Sequence, residues 1–250
     1  MKIISWNCNS TFREKISTIF DENSENYLDA DIYVICECEN PEDPLPKYKE
    51  YKRIVEDFAG DNYFWVGDIH WKGLGIFAKK DIKLEPIEGL NERFKNFIAL
   101  RVNDSFNLLG VWAMNKDSEK GLNAYTEMIH DYFDANTQLF DEDLVMCGDF
   151  NSNVVWDYTH KAKDSEGNAK DQTNLNIKLN NKGLFSVYHE STGEKQGKET
   201  KPTFYQSWNL NKPYHIDYVY AAKGVVTTLE IGDADKWLEL SDHMPLTFEF

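Results

Sequence analysis

Leu144-Val145-Met146-Cys147-Gly148-Asp149-Phe150-Asn151-Ser152-Asn153 reads as a buried strand that runs into a chemically loaded turn. Four apolar residues in a row, without polar alternation, fit a strand covered on both faces. A glycine then ends the run, followed at once by a carboxylate and amides. Burying Asp149 and Asn151 at the end of a core strand is costly unless each meets a partner, whether a hydrogen-bond donor, a metal or a substrate phosphate. A Gly-Asp-x-Asn turn folded onto its own backbone is the plain alternative. Three further places shift the balance toward chemistry: Ser5-Trp6-Asn7, Ile35-Cys36-Glu37, and the closing pair Ile216-Asp217-Tyr218 and Ser241-Asp242-His243.

Working outward from that strand, residues 122, 125, 129, 132 and 133 are apolar at helical spacing and predict a helix leading into it. Near the start, residues 1–6 read as a strand, and Phe12, Ile16, Ile19 and Phe20 mark a helix that a Thr11/Glu14 capping box would open. Residues 31–37 read as a core strand that delivers Glu37 to its end. Short β-rich runs follow at 51–55, 63–66, 74–77, 82–84, 97–102 and 106–112, separated by polar or glycine-containing turns. Beyond the central strand, Leu175 and Leu179 suggest a helix stopping at Gly183, and strands are expected at 184–188, 203–208, 214–220, 225–231 and 244–250. Many strands with a few inserted helices favour a sheet-on-sheet core flanked by helices.

With 250 residues, 41% of them hydrophobic and 14% aromatic, the chain can bury a sizeable core. No linker or change of composition divides it, so residues 1–250 are expected to form one domain. A net charge of −16 argues against coating nucleic acid or anionic membrane through the overall field, though a local basic groove is compatible with it. No apolar run is long enough to span a membrane. Cys8, Cys36, Cys38 and Cys147 lie in or beside apolar runs without Cys-x-x-Cys spacing, which reads as buried thiols and a cytoplasmic location.

Asn7, Glu37, Asp149, Asn151, Asp217, Asp242 and His243 all stand at, or one step beyond, the ends of expected strands. That distribution suggests one convergent site. Carboxylate and amide oxygens without thiolate suit a hard cation, Mg²⁺ or Mn²⁺, rather than zinc. Such an ion neutralises a phosphate oxygen, and a neighbouring His-Asp pair can activate water for in-line attack.

The ordered set Trp6-Asn7, Cys36-Glu37, Gly148-Asp149-Phe150-Asn151, Ile216-Asp217-Tyr218 and Ser241-Asp242-His243 resembles the endonuclease/exonuclease/phosphatase superfamily over nearly the full length. The resemblance implies an α+β fold, a DNase I-like four-layered α/β/β/α sandwich, and divalent-metal-dependent phosphoester hydrolysis. It implies Glu37 as principal metal ligand with Asn7 and Asp242 close by. By the same resemblance Asp149 and Asn151 position the water and the scissile phosphate, Asp217 orients His243, and Asn115 is the active-site asparagine in mid-chain. Three positions depart from the family pattern. Cys36 stands where glutamine is usual, Trp112 replaces a phosphate-contacting tyrosine or histidine, and His215 replaces a frequent arginine.

Trp112 and His215 are therefore expected to meet substrate in altered form, with Trp71 and Trp208 as further aromatic contacts if they are not core residues. Lys195, Lys198 and Lys201 lie just before Pro202-Thr203-Phe204 and are the candidate basic rim, a solvated face being the blander account. His70, His130, His160 and His189 sit in no motif and read as surface or locally satisfied residues. The expected activity is a metal-dependent phosphodiesterase acting on nucleic acid, DNA in preference, and the alternative is hydrolysis of a small phosphoester such as a nucleotide or lipid headgroup.

Overall fold

Among the described residues the apolar runs pair into two six-stranded sheets and one short two-stranded ribbon. The computed structural model describes residues 1–91, 93–114, 123–160 and 162–250. In chain order the elements are β1 (Lys2–Asn7), α1 (Phe12–Phe20), β2 (Ile32–Cys38), α2 (Lys49–Ala59), β3 (Tyr63–Ile69), β4 (Lys72–Ala78), β5 (Leu84–Pro86), β6 (Phe97–Val102), β7 (Phe106–Trp112), α3 (Asn123–Ala135), β8 (Leu144–Asp149), α4 (Gln172–Asn181), β9 (Phe185–Ser186), α5 (Val187–Thr192), β10 (Phe204–Tyr205), β11 (Pro213–Tyr214), β12 (Asp217–Ala221), β13 (Thr228–Ile231), α6 (Ala234–Trp237) and β14 (Leu246–Glu249), with short 3-10 turns between them.

One sheet has the order β13-β14-β1-β2-β4-β3 and the other β5-β6-β7-β8-β12-β9. In each, a central pair is parallel, β1 with β2 and β7 with β8, and its other pairings are antiparallel. Strand alternation decides what fills each layer. Ile3, Val34, Cys36, Leu74 and Ile76 from one sheet meet Leu100, Leu108, Trp112, Val145 and Val219 from the other. The opposite faces are covered by helices. Ile4, Trp6, Tyr33 and Ile35 pack under α1, α2 and α6, while Leu109, Val111, Met146 and Tyr218 pack under α3 and α4. The result is the expected α/β/β/α sandwich. No helix among the described residues is long and apolar enough to cross a membrane.

Three local expectations are corrected. Residues 51–55 belong to α2, because Tyr51, Val55 and Ala59 recur four apart and bury one helical face. The 184–188 run yields only two strand residues before α5 begins. Thr11 does not cap α1 through its side chain; its backbone is left-handed, at φ 54°, so the capping-box geometry is not formed.

Candidate active site

Three strand ends and one strand start converge: β1 and β2 from one sheet, β8 and β12 from the other. Gly148 makes the approach possible, for at φ 145° an added Cβ would stand 1.9 Å from the Val111 carbonyl oxygen. Only glycine fits there. The next residue, Asp149, pairs in register with Asp217 of the antiparallel β12, so two carboxylates enter the site side by side.

Asp149 is buried and fully engaged. Its Oδ2 accepts from Asn7 Nδ2 and Asn151 Nδ2, both at 2.8 Å, and its Oδ1 accepts from the Asn151 backbone N–H at 2.8 Å. Asn151 reaches back because its backbone is left-handed, at φ 48°, and its amide also donates to the Ala113 carbonyl at 3.0 Å. Burial pushes the Asp149 carboxyl up to about 7, and the Asp217 charge adds to that while His243 and the Asn7 donor oppose it.

His243 Nδ1 lies 3.0 and 3.2 Å from the two oxygens of Asp217. A carboxylate only accepts, so Nδ1 carries a proton and donates. Burial pulls the imidazolium down, yet Asp217 above all, with Asp149 and Asp242, pushes it up to about 9. The dyad is fixed from behind. Thr203 Oγ1 accepts from the Ile216 and Asp217 backbone N–H groups at 3.0 Å each, and Ser241 Oγ accepts from the His243 N–H at 3.1 Å while donating to the Asn7 carbonyl at 2.7 Å. Ligand atoms of Asp149, Asp217 and His243 lie within 4.8 Å of one another.

A second acidic locus lies at the end of β2. Glu37 sits in a bulge, where the β2–β4 register shifts between Cys36 and Cys38, and its φ is 65°. Its Oε2 faces Lys72 Nζ at 2.8 Å, with Ser10 Oγ at 3.4 Å. Asp242 Oδ1 accepts from Asn9 Nδ2 at 2.6 Å, and its carboxyl is raised by burial, with Glu37 adding to the rise. Two carboxylates as hard oxygen donors, the buried Asp242 among them, fit a divalent cation at this end of the sheets. Asn7 is engaged at both ends of its amide, donating to Asp149 and accepting from the Asn9 N–H at 2.9 Å.

The expected substrate contacts fare differently. Trp112 lies in the core between the sheets, 3% exposed, because it shares the inward parity of Phe106 and Leu108 on β7. Its indole N–H has no partner among the described residues. His215 is likewise buried, with Nδ1 2.9 Å from the Lys201 carbonyl and its ring against Tyr188. Burial holds it below the ordinary histidine range. Both positions therefore serve packing rather than an open contact face. Cys36 faces the inter-sheet core too, its thiol 3.4 Å from the Val111 carbonyl. Lys195 and Lys198 are exposed, whereas Lys201 is tied to Asp233. Asn115 lies outside the described residues. Sequence reasoning passed over Asn9, counted Lys72 only among the lysines of a possible electropositive rim, and quoted Thr203 and Ser241 without a role. Only Thr203 carried a signal, at the strand start just after the lysine loop.

A four-layer sandwich with an Asp-His dyad and a separate acidic locus at the strand ends defines a class of phosphoester hydrolases. The chain belongs to the Endonuclease/Exonuclease/phosphatase family, whose pattern it matches over residues 4–243. No curated protein matches it significantly. Among solved structures, an AP endonuclease from Archaeoglobus fulgidus superposes with a TM-score of 0.67 at 19% identity, covering 100% of this chain and 99% of that one. The 3′ phosphatase NExo from Neisseria, bound to a product DNA hairpin, superposes at 0.62 with 18% identity over 100% and 99% of the two chains. Truncated TDP2 from Caenorhabditis elegans does so at 0.62 with 11% identity over 99% and 96%. These likenesses establish the fold.

Proposed function

We propose that this protein is a divalent-metal-dependent phosphodiesterase acting on nucleic acid, DNA first, with the whole chain as one catalytic domain. The observation that carries the reading is the convergence of Asp149, Asp217 and His243 within 4.8 Å beside the Glu37 and Asp242 carboxylates. Asp149, pushed up to about 7, has the proton affinity of a base working near neutrality, and three N–H donors, two on Oδ2 and one on Oδ1, fix the carboxylate that would take a proton from water. His243, held by Asp217 through Nδ1, presents its other ring nitrogen as a charged donor to a phosphate oxygen. Glu37 and Asp242, with Asn7 nearby, would hold Mg²⁺ or Mn²⁺, which supplies positive charge against the charge developing on the phosphoryl oxygens. Four free, buried cysteines support a reducing, cytoplasmic setting.

The neighbouring folds include proteins named for AP-endonuclease and DNA 3′-phosphatase activity, which favours DNA as substrate. The net charge of −16 favours the second reading, a small phosphoester, since it provides no long-range attraction to a polyanion. The test is a substrate panel with Mg²⁺ or Mn²⁺: plasmid, an abasic duplex, a 3′-phosphorylated oligonucleotide, single-stranded RNA, nucleotides and phosphoinositides. Cleavage of the DNA substrates supports the proposal, and turnover confined to nucleotides or lipid headgroups replaces it with the second reading.

A further inference from the structure

Glu37 is distinguished from the other acidic residues of the site by its partner. Asp149, Asp217 and Asp242 are held by amides, backbone N–H groups or His243, and among the described residues none of the three is bridged by a lysine or arginine. Glu37 faces an ammonium at 2.8 Å, and the two side chains are only 16% and 25% exposed, so the pair is shielded from the screening that weakens surface ion pairs.

The backbone puts Lys72 there. It opens β4 directly before Gly73, which pairs with Cys38 just past the Glu37 bulge, and it closes the β3–β4 hairpin by pairing with Ile69. The same bulge that turns Glu37 toward the site therefore turns it toward Lys72. On the other side the ammonium lies 5.7 Å from the centre of the Trp112 ring, whose face attracts a cation. That ring is itself buried in the inter-sheet core, so Trp112 is a fixed wall rather than a mobile contact.

We propose that Lys72 is a built-in competitor for the metal at Glu37. Its ammonium holds the carboxylate that a divalent cation would take, so ion binding is an exchange: the cation gains Glu37 and Lys72 is released into the site, where an anionic phosphate is its natural partner. The inference rests on the metal-site reading of Glu37 given above. It follows that removing the ammonium makes metal binding tighter, the opposite of what removing a supporting residue does. A positive charge beside the incoming cation in a partly buried site opposes its binding. About tenfold tighter binding is expected once that charge is removed, equivalent to ~1.4 kcal/mol.

The test is calorimetric titration of the full chain with Mn²⁺ alone, without substrate, for wild type, Lys72→Met, Lys72→Gln, Lys72→Arg and Glu37→Gln, each with its folding checked by thermal melting. The expected result is about tenfold tighter Mn²⁺ binding by both neutral variants and near wild-type affinity for Lys72→Arg, which keeps the charge. Unchanged or weaker binding by folded Lys72→Met and Lys72→Gln overturns the inference. Glu37→Gln separates the two levels: lost binding in that variant with no gain in the lysine variants refutes only the competitor role, whereas wild-type binding by Glu37→Gln removes the metal-site reading beneath it.

Discussion

Asp217→Asn replaces one oxygen of the carboxylate that holds His243 and removes its charge while keeping its volume. In the native site the imidazolium stands at about 9 against an ordinary 6.5, a difference worth ~3 kcal/mol. Burial alone would pull it the other way, and Asp217 is the foremost of the charges that overcome it. With that charge gone, the foremost opposition to burial is lost, and His243 should titrate well below its wild-type position. A second consequence follows by linkage. A histidine raised in the folded state stabilises it fully below pH 6.5, and that contribution is lost as pH rises toward 9. The metal-free wild type should therefore lose stability across that window, and Asp217→Asn should lose less. The assay is an NMR titration of the His243 ring with urea melts at pH 6 and pH 9, alongside turnover, which should fall by about 10²–10⁴. His243→Ala should lower turnover by a similar factor, and the double variant should be little worse than either single. A His243 titration unchanged in Asp217→Asn, or a double variant impaired by the product of the two factors, refutes the dyad.

Gly148→Ala should destabilise the fold by about 3 kcal/mol or more, because its Cβ meets the Val111 oxygen at 1.9 Å between two paired strands. That corresponds to a melting temperature lower by roughly 6–12 °C, and a wild-type melt contradicts it. Lys195→Ala/Lys198→Ala should raise KM for oligonucleotides several-fold and spare a small chromogenic phosphodiester; equal effects on both substrates place the loop in folding instead. Lys201 is left out because Asp233 already holds it.

Much of the architecture was legible because each strand of the inner layers carries its own parity. Leu144 to Asp149 lies buried on both faces, as an unbroken apolar run implies. Errors arose where short-range composition and period disagree. Tyr51 and Val55 are β-favouring residues, yet with Ala59 they repeat at four, and the helix follows the period. Trp112 and His215 were singled out for standing in motifs, but strand parity turns the first into the inter-sheet core and burial against Tyr188 claims the second. The acidic and amide residues of the site were visible as polar groups at strand ends. Their supports were not. Thr203 and Asn9 act on Asp217 and Asp242 through hydrogen bonds that only the assembled sheets create, the bond from Ser241 that ties the His243 turn to the Asn7 carbonyl is equally long-range, and Lys72 reaches Glu37 across a bulge whose position no local pattern marks.

The central claim is metal-dependent phosphoester hydrolysis at this site, and the most direct measurement is the initial rate of oligonucleotide cleavage by chelator-stripped protein as Mn²⁺ or Mg²⁺ is returned. The account predicts no turnover in chelator, saturable recovery for the wild type, and no comparable recovery for folded Glu37→Gln. Undiminished cleavage in excess chelator, with the metal's absence confirmed by elemental analysis, would contradict it.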